Sequence, residues 1–168
     1  MRPFAHWIDR VVPAQIQAHQ RSKVSAECLS SLNYDEELWV KNTALNLFWE
    51  ANGLDGKPEL IVPSPRPRHY RATTKRRVVY RSDGVSFLHG DRSLAANRSA
   101  LEPESHGNLY DWLEKKLNLP VNRPLSRVLN WLVIRGNYSE HTLIFNVFYL
   151  DAAVVRRVKS LAEELKKE

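Results

Sequence analysis

The chain has 168 residues, of which 43% are hydrophobic and 26% charged, and its formal net charge is +6. This composition is typical of one ordinary globular domain or two very small ones, and it excludes a disordered or fibrous chain. The longest apolar stretches, residues 131–134 and 147–150, are far shorter than the roughly 18–20 residues that a membrane-spanning helix needs. Because residues 1–10 also lack the features of a secretory signal, we expect a cytoplasmic protein with no membrane partner.

The first third of the chain indicates helices. Good helix formers and a thin apolar stripe predict a first helix over residues 13–32, beginning at a proline. Asn33 followed by Glu36 matches a capping box and predicts a second helix over residues 35–52. Prolines between residues 58 and 67 then impose an extended chain. We expect residues 1–55 to form a helical segment packed on an α+β domain over residues 56–168.

The remaining two thirds alternate between hairpins and helices. Residues 69–80 and 85–89, joined by Ser82-Asp83-Gly84, predict one β-hairpin, and residues 127–135 and 141–150 predict another. Residues 90–107 show little periodicity and are interpreted as a loop before a short helix over residues 108–118. Asp151 is a helix N-cap for a final amphipathic helix. The predicted fold class is α+β, with an antiparallel sheet of two hairpins and the order α-α-β-β-α-β-β-α.

The positive charge is concentrated in one region. Residues 57–92 contain nine basic and three acidic residues, an excess equal to the net charge of the whole chain. A local excess of this kind is the usual electrostatic signature of a nucleic-acid surface, although a solvated basic face has the same composition. A basic amphipathic helix of the membrane-binding type does not carry the cluster.

Side chains two residues apart share one face of a strand, so the predicted first strand has a cationic face and an apolar face. We expect the cationic face and the residues just before it to bind RNA phosphates, with the nearby rings available for base stacking; the candidates are Arg68, His69, Tyr70, Arg71, Thr73, Lys75, Arg77 and Arg81. Tyr70 is interpreted first as a core residue. Arg76 lies on the apolar face, where it must reach the sheet edge or find an anion. The five tryptophans are interpreted as core residues.

The sequence contains none of the common residue motifs of catalytic, metal or cofactor sites. Cys28 is the single cysteine, which excludes an intramolecular disulfide and multi-cysteine metal sites, and it is interpreted as a half-buried core residue. The six histidines show no metal-binding spacing, and the chain has neither a P-loop nor a Gly-x-Gly-x-x-Gly motif. We therefore predict no metal, no bound cofactor and no catalytic residue in this chain.

The proline-rich segment and the basic strand that follows it resemble motifs of a known family. Pro63-Ser64-Pro65, followed by His69-Tyr70-Arg71 and a basic strand, resembles the Ser-Pro and Tyr-Arg signature of the S-adenosylmethionine-dependent RNA (uracil-5) methyltransferases. The Gln-rich residues 15–23 and the downstream order of hairpins and helices extend the similarity over about residues 13–32 and 60–167.

The resemblance implies that this region is the central, RNA-binding part of such an enzyme, whose substrate is tRNA or rRNA. The resemblance implies an RNA-binding role most directly for Tyr70 and Arg71, and next for Lys75 and Arg77. The family's methyl-donor domain has no counterpart in these residues, and Cys28 does not match the setting of its nucleophile. We therefore expect a piece of a longer enzyme, inactive alone, whose C-terminal catalytic domain binds S-adenosylmethionine; a stand-alone relic of the RNA-binding part is the alternative.

Two other functions compete with RNA binding. A protein-interaction or regulatory module would use the same basic patch to bind an acidic partner protein. A small hydrolase would use His69 or His106, although nothing beyond the presence of these histidines supports it.

Overall fold

The computed structural model describes residues 2–12, 29–89, 98–136 and 139–167, and the chain divides into two compact units, Met1–Arg68 and His69–Glu168. The observed boundary lies 13 residues after the predicted one at residue 55. The reason is that the proline-rich segment bonds to the second helix of the first unit. The Ile61 N–H donates to Asn42 Oδ1 at 2.8 Å, and the Ser64 N–H donates to the Tyr34 hydroxyl at 2.6 Å.

The first unit contains helices α1 (Phe4–Val11) and α2 (Tyr34–Ala51). The capping box at the start of α2 is confirmed, because Asn33 Oδ1 accepts from the Glu36 N–H at 2.9 Å and the Glu36 carboxylate accepts from the Asn33 N–H at 3.3 Å. Helix α1 was not predicted, although its apolar residues recur at spacings of three and four. Of the helix predicted over residues 13–32, residues 13–28, with Cys28 at their end, lie outside the described residues, and residues 29–31 form a short 3-10 turn.

The second unit contains a four-stranded antiparallel sheet. Its strands are β1 (Thr73–Arg81), β2 (Gly84–Leu88), β3 (Leu129–Gly136) and β4 (His141–Val147), and their order across the sheet is β2-β1-β3-β4. Each of the two predicted hairpins is present, and β1 pairs with β3 to join them. The predicted α+β class and order of elements are therefore confirmed.

Helices of the second unit differ from the prediction at their ends. Helix α3 (Glu104–Leu117) begins four residues earlier than expected, because Pro103 occupies its N-cap and tertiary packing buries His106 and Gly107 in its first turns. A 3-10 turn (Pro120–Asn122) and helix α4 (Arg123–Val128) precede β3, where the sequence predicted a strand from residue 127. Helix α5 (Ala152–Leu165) begins as predicted, with Asp151 Oδ1 accepting from the Val154 N–H at 2.7 Å.

Helices α3, α4 and α5 cover one face of the sheet. Together with that face they form the main core, which is built from Val78, Val85, Phe87, Tyr110, Leu113, Leu117, Leu125, Val128, Leu129, Leu132, Ile134, Val154 and Leu161. The other face, called the open face below, carries Thr73, Lys75, Arg77, Val79, Arg81, Ser86, Leu88, Trp131, Val133, Arg135, Thr142, Ile144 and Asn146. Of the helices in the described ranges, none combines the length and apolarity that crossing a membrane requires.

Candidate nucleic-acid interface

Strand β1 separates its cations onto two sides of the sheet. Thr73, Lys75 and Arg77 are exposed, whereas the alternating residues Thr74 and Arg76 are buried. The run of cations is therefore extended, as predicted, and its period of two follows from the alternation of side chains along a strand.

The buried cation of β1, Arg76, pairs with a carboxylate from the loop before α3. Its Nη1 donates to Glu102 Oε1 at 2.9 Å and its Nη2 donates to Glu102 Oε2 at 2.5 Å, and the side chains are 0% and 3% exposed. The guanidinium also lies 4.6 Å from the centre of the Tyr110 ring. The sequence required an anion or a sheet edge for this residue, and the structure supplies the anion, so Arg76 is not available to a ligand.

A small polar cluster surrounds this ion pair within the core. Thr74 Oγ1 lies 2.9 Å from the Tyr110 hydroxyl and 3.1 Å from His106 Nδ1, and the His106 ring packs edge-on against His141 with centroids 5.1 Å apart. Burial lowers the pKa of His106, as do the His141 and Arg76 charges, while the Glu102 charge opposes this shift. Burial raises the pKa of Tyr110 to about 12. Both groups are therefore neutral at physiological pH.

The open face gathers cations from two paired strands. Lys75, Arg77 and Arg81 of β1 and Arg135 of β3 are exposed, and the register places Arg135 opposite Thr73. None of these four cations forms an ion pair with another described residue, and none of the four strands contains Asp or Glu. Arg135 was missed from the sequence because it lies outside the basic region, although the alternation of exposure along β3 places it beside β1.

Trp131 lies near the middle of the open face. In the register it stands opposite Arg77 on one side and Asn146 on the other, and the Lys75 Nζ lies 3.9 Å from the centre of its ring. The interpretation of Trp131 as a core residue is therefore wrong. Its position in the register gives it the same side of the sheet as Arg77, opposite the helices. Trp39 of α2 also departs from the core interpretation, because 59% of its surface is exposed.

The predicted site residues before β1 have other partners. Arg68, at the end of the first unit, donates to Glu37 Oε2 at 2.7 Å and to the Leu32 carbonyl at 3.0 Å. His69 has a left-handed backbone with φ 56°, and its Nδ1 lies 2.8 Å from the Glu102 carbonyl oxygen. Both side chains are therefore engaged by these partners, and neither residue belongs to β1.

Tyr70 and Arg71 also precede the strand. Tyr70 is 48% exposed, so its interpretation as a core residue is wrong. Arg71 is partly buried, and its N–H donates to the Leu101 carbonyl at 2.9 Å. Of the eight predicted residues, the structure brings together Thr73, Lys75, Arg77 and Arg81 on one face of a single strand.

The described histidines near α3, His106 and His141, do not form a solvent-accessible catalytic centre. His106 is fully buried, which separates it from any substrate. Its neighbour Ser105 lies 3.0 Å from His141 Nε2, but this pair has the ring of His106 beside it and not an orienting carboxylate. Within the described ranges, no three side chains of the metal-ligating types gather into a metal site.

No protein-family model matches the sequence, and no curated protein matches it. The resemblance to the RNA (uracil-5) methyltransferases therefore stays a prediction.

Proposed function

We propose that the open face binds RNA by holding its phosphates. The observation that carries the proposal is the set of four exposed cations, Lys75, Arg77, Arg81 and Arg135, on a sheet whose strands contain no carboxylate. Such a surface concentrates polyanions, because no carboxylate on the strands themselves offsets the positive charge.

The spacing of these cations favours contact with the nucleic-acid backbone. Lys75 and Arg77 stand roughly 6.6 Å apart along β1, since each residue of a strand advances the chain by about 3.3 Å. Arg135 lies diagonally across from Lys75 on the neighbouring strand, at a distance of about 7–8 Å. Successive phosphates of one strand are therefore met by successive side chains. Contacts of this kind position the nucleic acid and carry no sequence information by themselves.

We also propose, from the family resemblance, that the RNA is a tRNA or rRNA substrate of uracil-5 methylation. Methyl transfer and S-adenosylmethionine binding then belong to a catalytic domain outside these residues. This part of the proposal predicts that the chain alone binds RNA without transferring a methyl group from S-adenosylmethionine. Methylation by the purified chain would contradict it.

The salt dependence of binding tests the phosphate contacts. The dissociation constant of the full chain for a fluorescent single-stranded RNA is measured between low and moderate salt. The slope of log K against log salt decreases in magnitude by about 0.7 for each phosphate of a single strand that the protein no longer neutralises. We expect the variant with Lys75, Arg77 and Arg135 all changed to Gln to have a slope smaller by about two.

A matched control removes the same charge from the helical side of the sheet. Lys115 of α3 and Arg156 and Lys159 of α5 are exposed, and these helices cover the opposite face. The triple Gln variant of these residues should keep the original slope. Equal effects of the two triple variants would contradict the proposal, and binding of an acidic protein in place of RNA would favour the protein-interaction alternative.

A further inference from the structure

Trp131 places a partly exposed aromatic ring on the open face. The ring stands in a row across three strands, with Arg77 on β1 and Asn146 on β4 as its neighbours. Lys75, Val133 and Ile144 form the next row, so the ring has a cation beside it on β1 and apolar side chains beside it on β3 and β4. An aromatic ring among cations on an open sheet is the arrangement on which single-stranded nucleic acids stack their bases.

Lys75 links the ring to the phosphate-binding residues. Its ammonium lies 3.9 Å from the centre of the Trp131 ring, within the range of a cation–π interaction, while the side chain stays exposed. A base that stacks on this side of the ring must displace the ammonium, which can then pair with the phosphate of the same or the next nucleotide. The exchange replaces one favourable contact of Lys75 with another.

Duplex RNA cannot use the ring in this way. Its bases are already stacked in the helix, and a flat sheet cannot enter the narrow major groove of the A-form. Phosphates, by contrast, are offered by both single-stranded and duplex RNA. A preference between the two must therefore come from the aromatic ring and not from the cations.

From these contacts we propose that the open face selects unpaired nucleotides by stacking a base on Trp131, with Lys75 moving from the ring to a phosphate. The inference rests on the proposed RNA binding and adds the class of substrate and the residue that selects it. It identifies Trp131 as the residue that distinguishes single-stranded RNA from duplex RNA.

The test compares two forms of the same RNA. The full chain is titrated with a labelled single strand of about 12 nucleotides, a length within the range of single-strand binding sites, and with the same strand annealed to its complement. Base stacking on an aromatic side chain contributes about 1–3 kcal/mol, which corresponds to roughly a fivefold to hundredfold change in affinity. We expect Trp131→Leu to weaken single-strand binding by this factor and to leave duplex binding unchanged.

Two further variants separate stacking from structural damage. Trp131→Phe keeps an aromatic ring and should retain most of the single-strand affinity. Trp39→Leu removes an exposed tryptophan from the first unit and should change neither affinity. A strand with abasic sites in place of its bases should bind the original chain and Trp131→Leu equally well, because only the phosphates remain.

The outcomes distinguish this inference from the proposed function. An equal loss of single-strand and duplex affinity in Trp131→Leu, or no loss in either, would overturn the role of Trp131 while leaving RNA binding intact. Failure of the original chain to bind either RNA would overturn the proposed function and this inference with it.

Discussion

Arg76 and Glu102 form a two-pronged ion pair inside the second unit, with Nη1 to Oε1 at 2.9 Å and Nη2 to Oε2 at 2.5 Å. The pair joins the middle of β1 to the loop that precedes α3. Because both side chains are almost fully buried, each charge gains compensation from the other that water does not supply. The strand that carries the exposed cations is thus attached, through its buried side, to the loop before α3.

Removing one charge of this pair should strongly destabilise the protein. We expect Glu102→Gln to reduce the free energy of unfolding by about 3–5 kcal/mol, because it removes the carboxylate that accepts two hydrogen bonds from the buried Arg76 guanidinium. Urea denaturation followed by circular dichroism measures the loss. The exposed pair of Lys166 and Glu163, 2.9 Å apart, supplies the control, and Glu163→Gln should cause no measurable loss.

A double variant checks the reason for that loss. Replacing both Arg76 and Glu102 with Met removes both charges of the pair together, so the protein should lose less stability than Glu102→Gln alone. A double variant that is less stable than the single one would show that the geometry of the pair matters more than its buried charge.

The stability of the second unit should fall in mild acid. The pKa of His106 is lowered in the folded protein, first by burial and then by the His141 charge. Well above pH 6.5 the imidazole is neutral in both the folded and the unfolded chain. Below that value the unfolded chain takes up a proton that the folded chain resists, so the free energy of unfolding decreases by at most about 1.4 kcal/mol per pH unit from this group.

Denaturation at pH 7.5 and pH 5 tests this effect. His106→Gln removes the titrating group, so the difference in stability between the two pH values should be smaller in the variant than in the original chain. The same difference in both proteins would assign the acid sensitivity to other groups.

The first hairpin should depend on the glycine at its turn. Gly84 has φ 127°, and a Cβ at this position would lie 2.2 Å from Asn118 Oδ1. The Asn118 side chain cannot move away without cost, because its Oδ1 accepts from the Val85 N–H at 2.7 Å and its Nδ2 donates to the Val85 carbonyl at 3.2 Å. We expect Gly84→Ala to cost about 2–4 kcal/mol through backbone strain and weakened hydrogen bonds.

Gly53 provides the comparison for that variant. Its φ is 60°, but a Cβ added at this position would have no atom within 4 Å, so Gly53→Ala should cost only the strain of about 1–2 kcal/mol. Urea denaturation of the two variants compares a glycine whose added Cβ meets Asn118 with one whose added Cβ meets no atom. A loss in Gly84→Ala no larger than that in Gly53→Ala would contradict the predicted cost at the hairpin.

Local patterns in the sequence were sufficient for most of the fold. The caps Asn33 and Asp151 and the turn at Gly84 are short-range signals, and each one is present in the structure. The start of α3 was missed because His106 and Gly107 are poor helix formers, and their burial against the sheet outweighs that preference. Propensity is a weak guide wherever tertiary packing decides the outcome.

The candidate site could be predicted only along one strand. The alternation in β1 separated Lys75 and Arg77 from Arg76 correctly, since that alternation is a property of any strand. Long-range pairing determines which strand lies beside β1. The position of Trp131 and Arg135 beside these cations could therefore not be predicted from the sequence. The anion for Arg76 was required by its burial, but its identity as Glu102 depends on the loop before α3.

The location of RNA on the sheet is the central claim, and an NMR titration tests it most directly. Backbone amide shifts of the isotope-labelled full chain are followed while an unstructured single-stranded RNA is added at low salt. We predict that the largest changes fall on residues 73–81 and 131–135, with little change in α5. Changes concentrated in α3 and α5, or no changes at all, would contradict RNA binding on the open face.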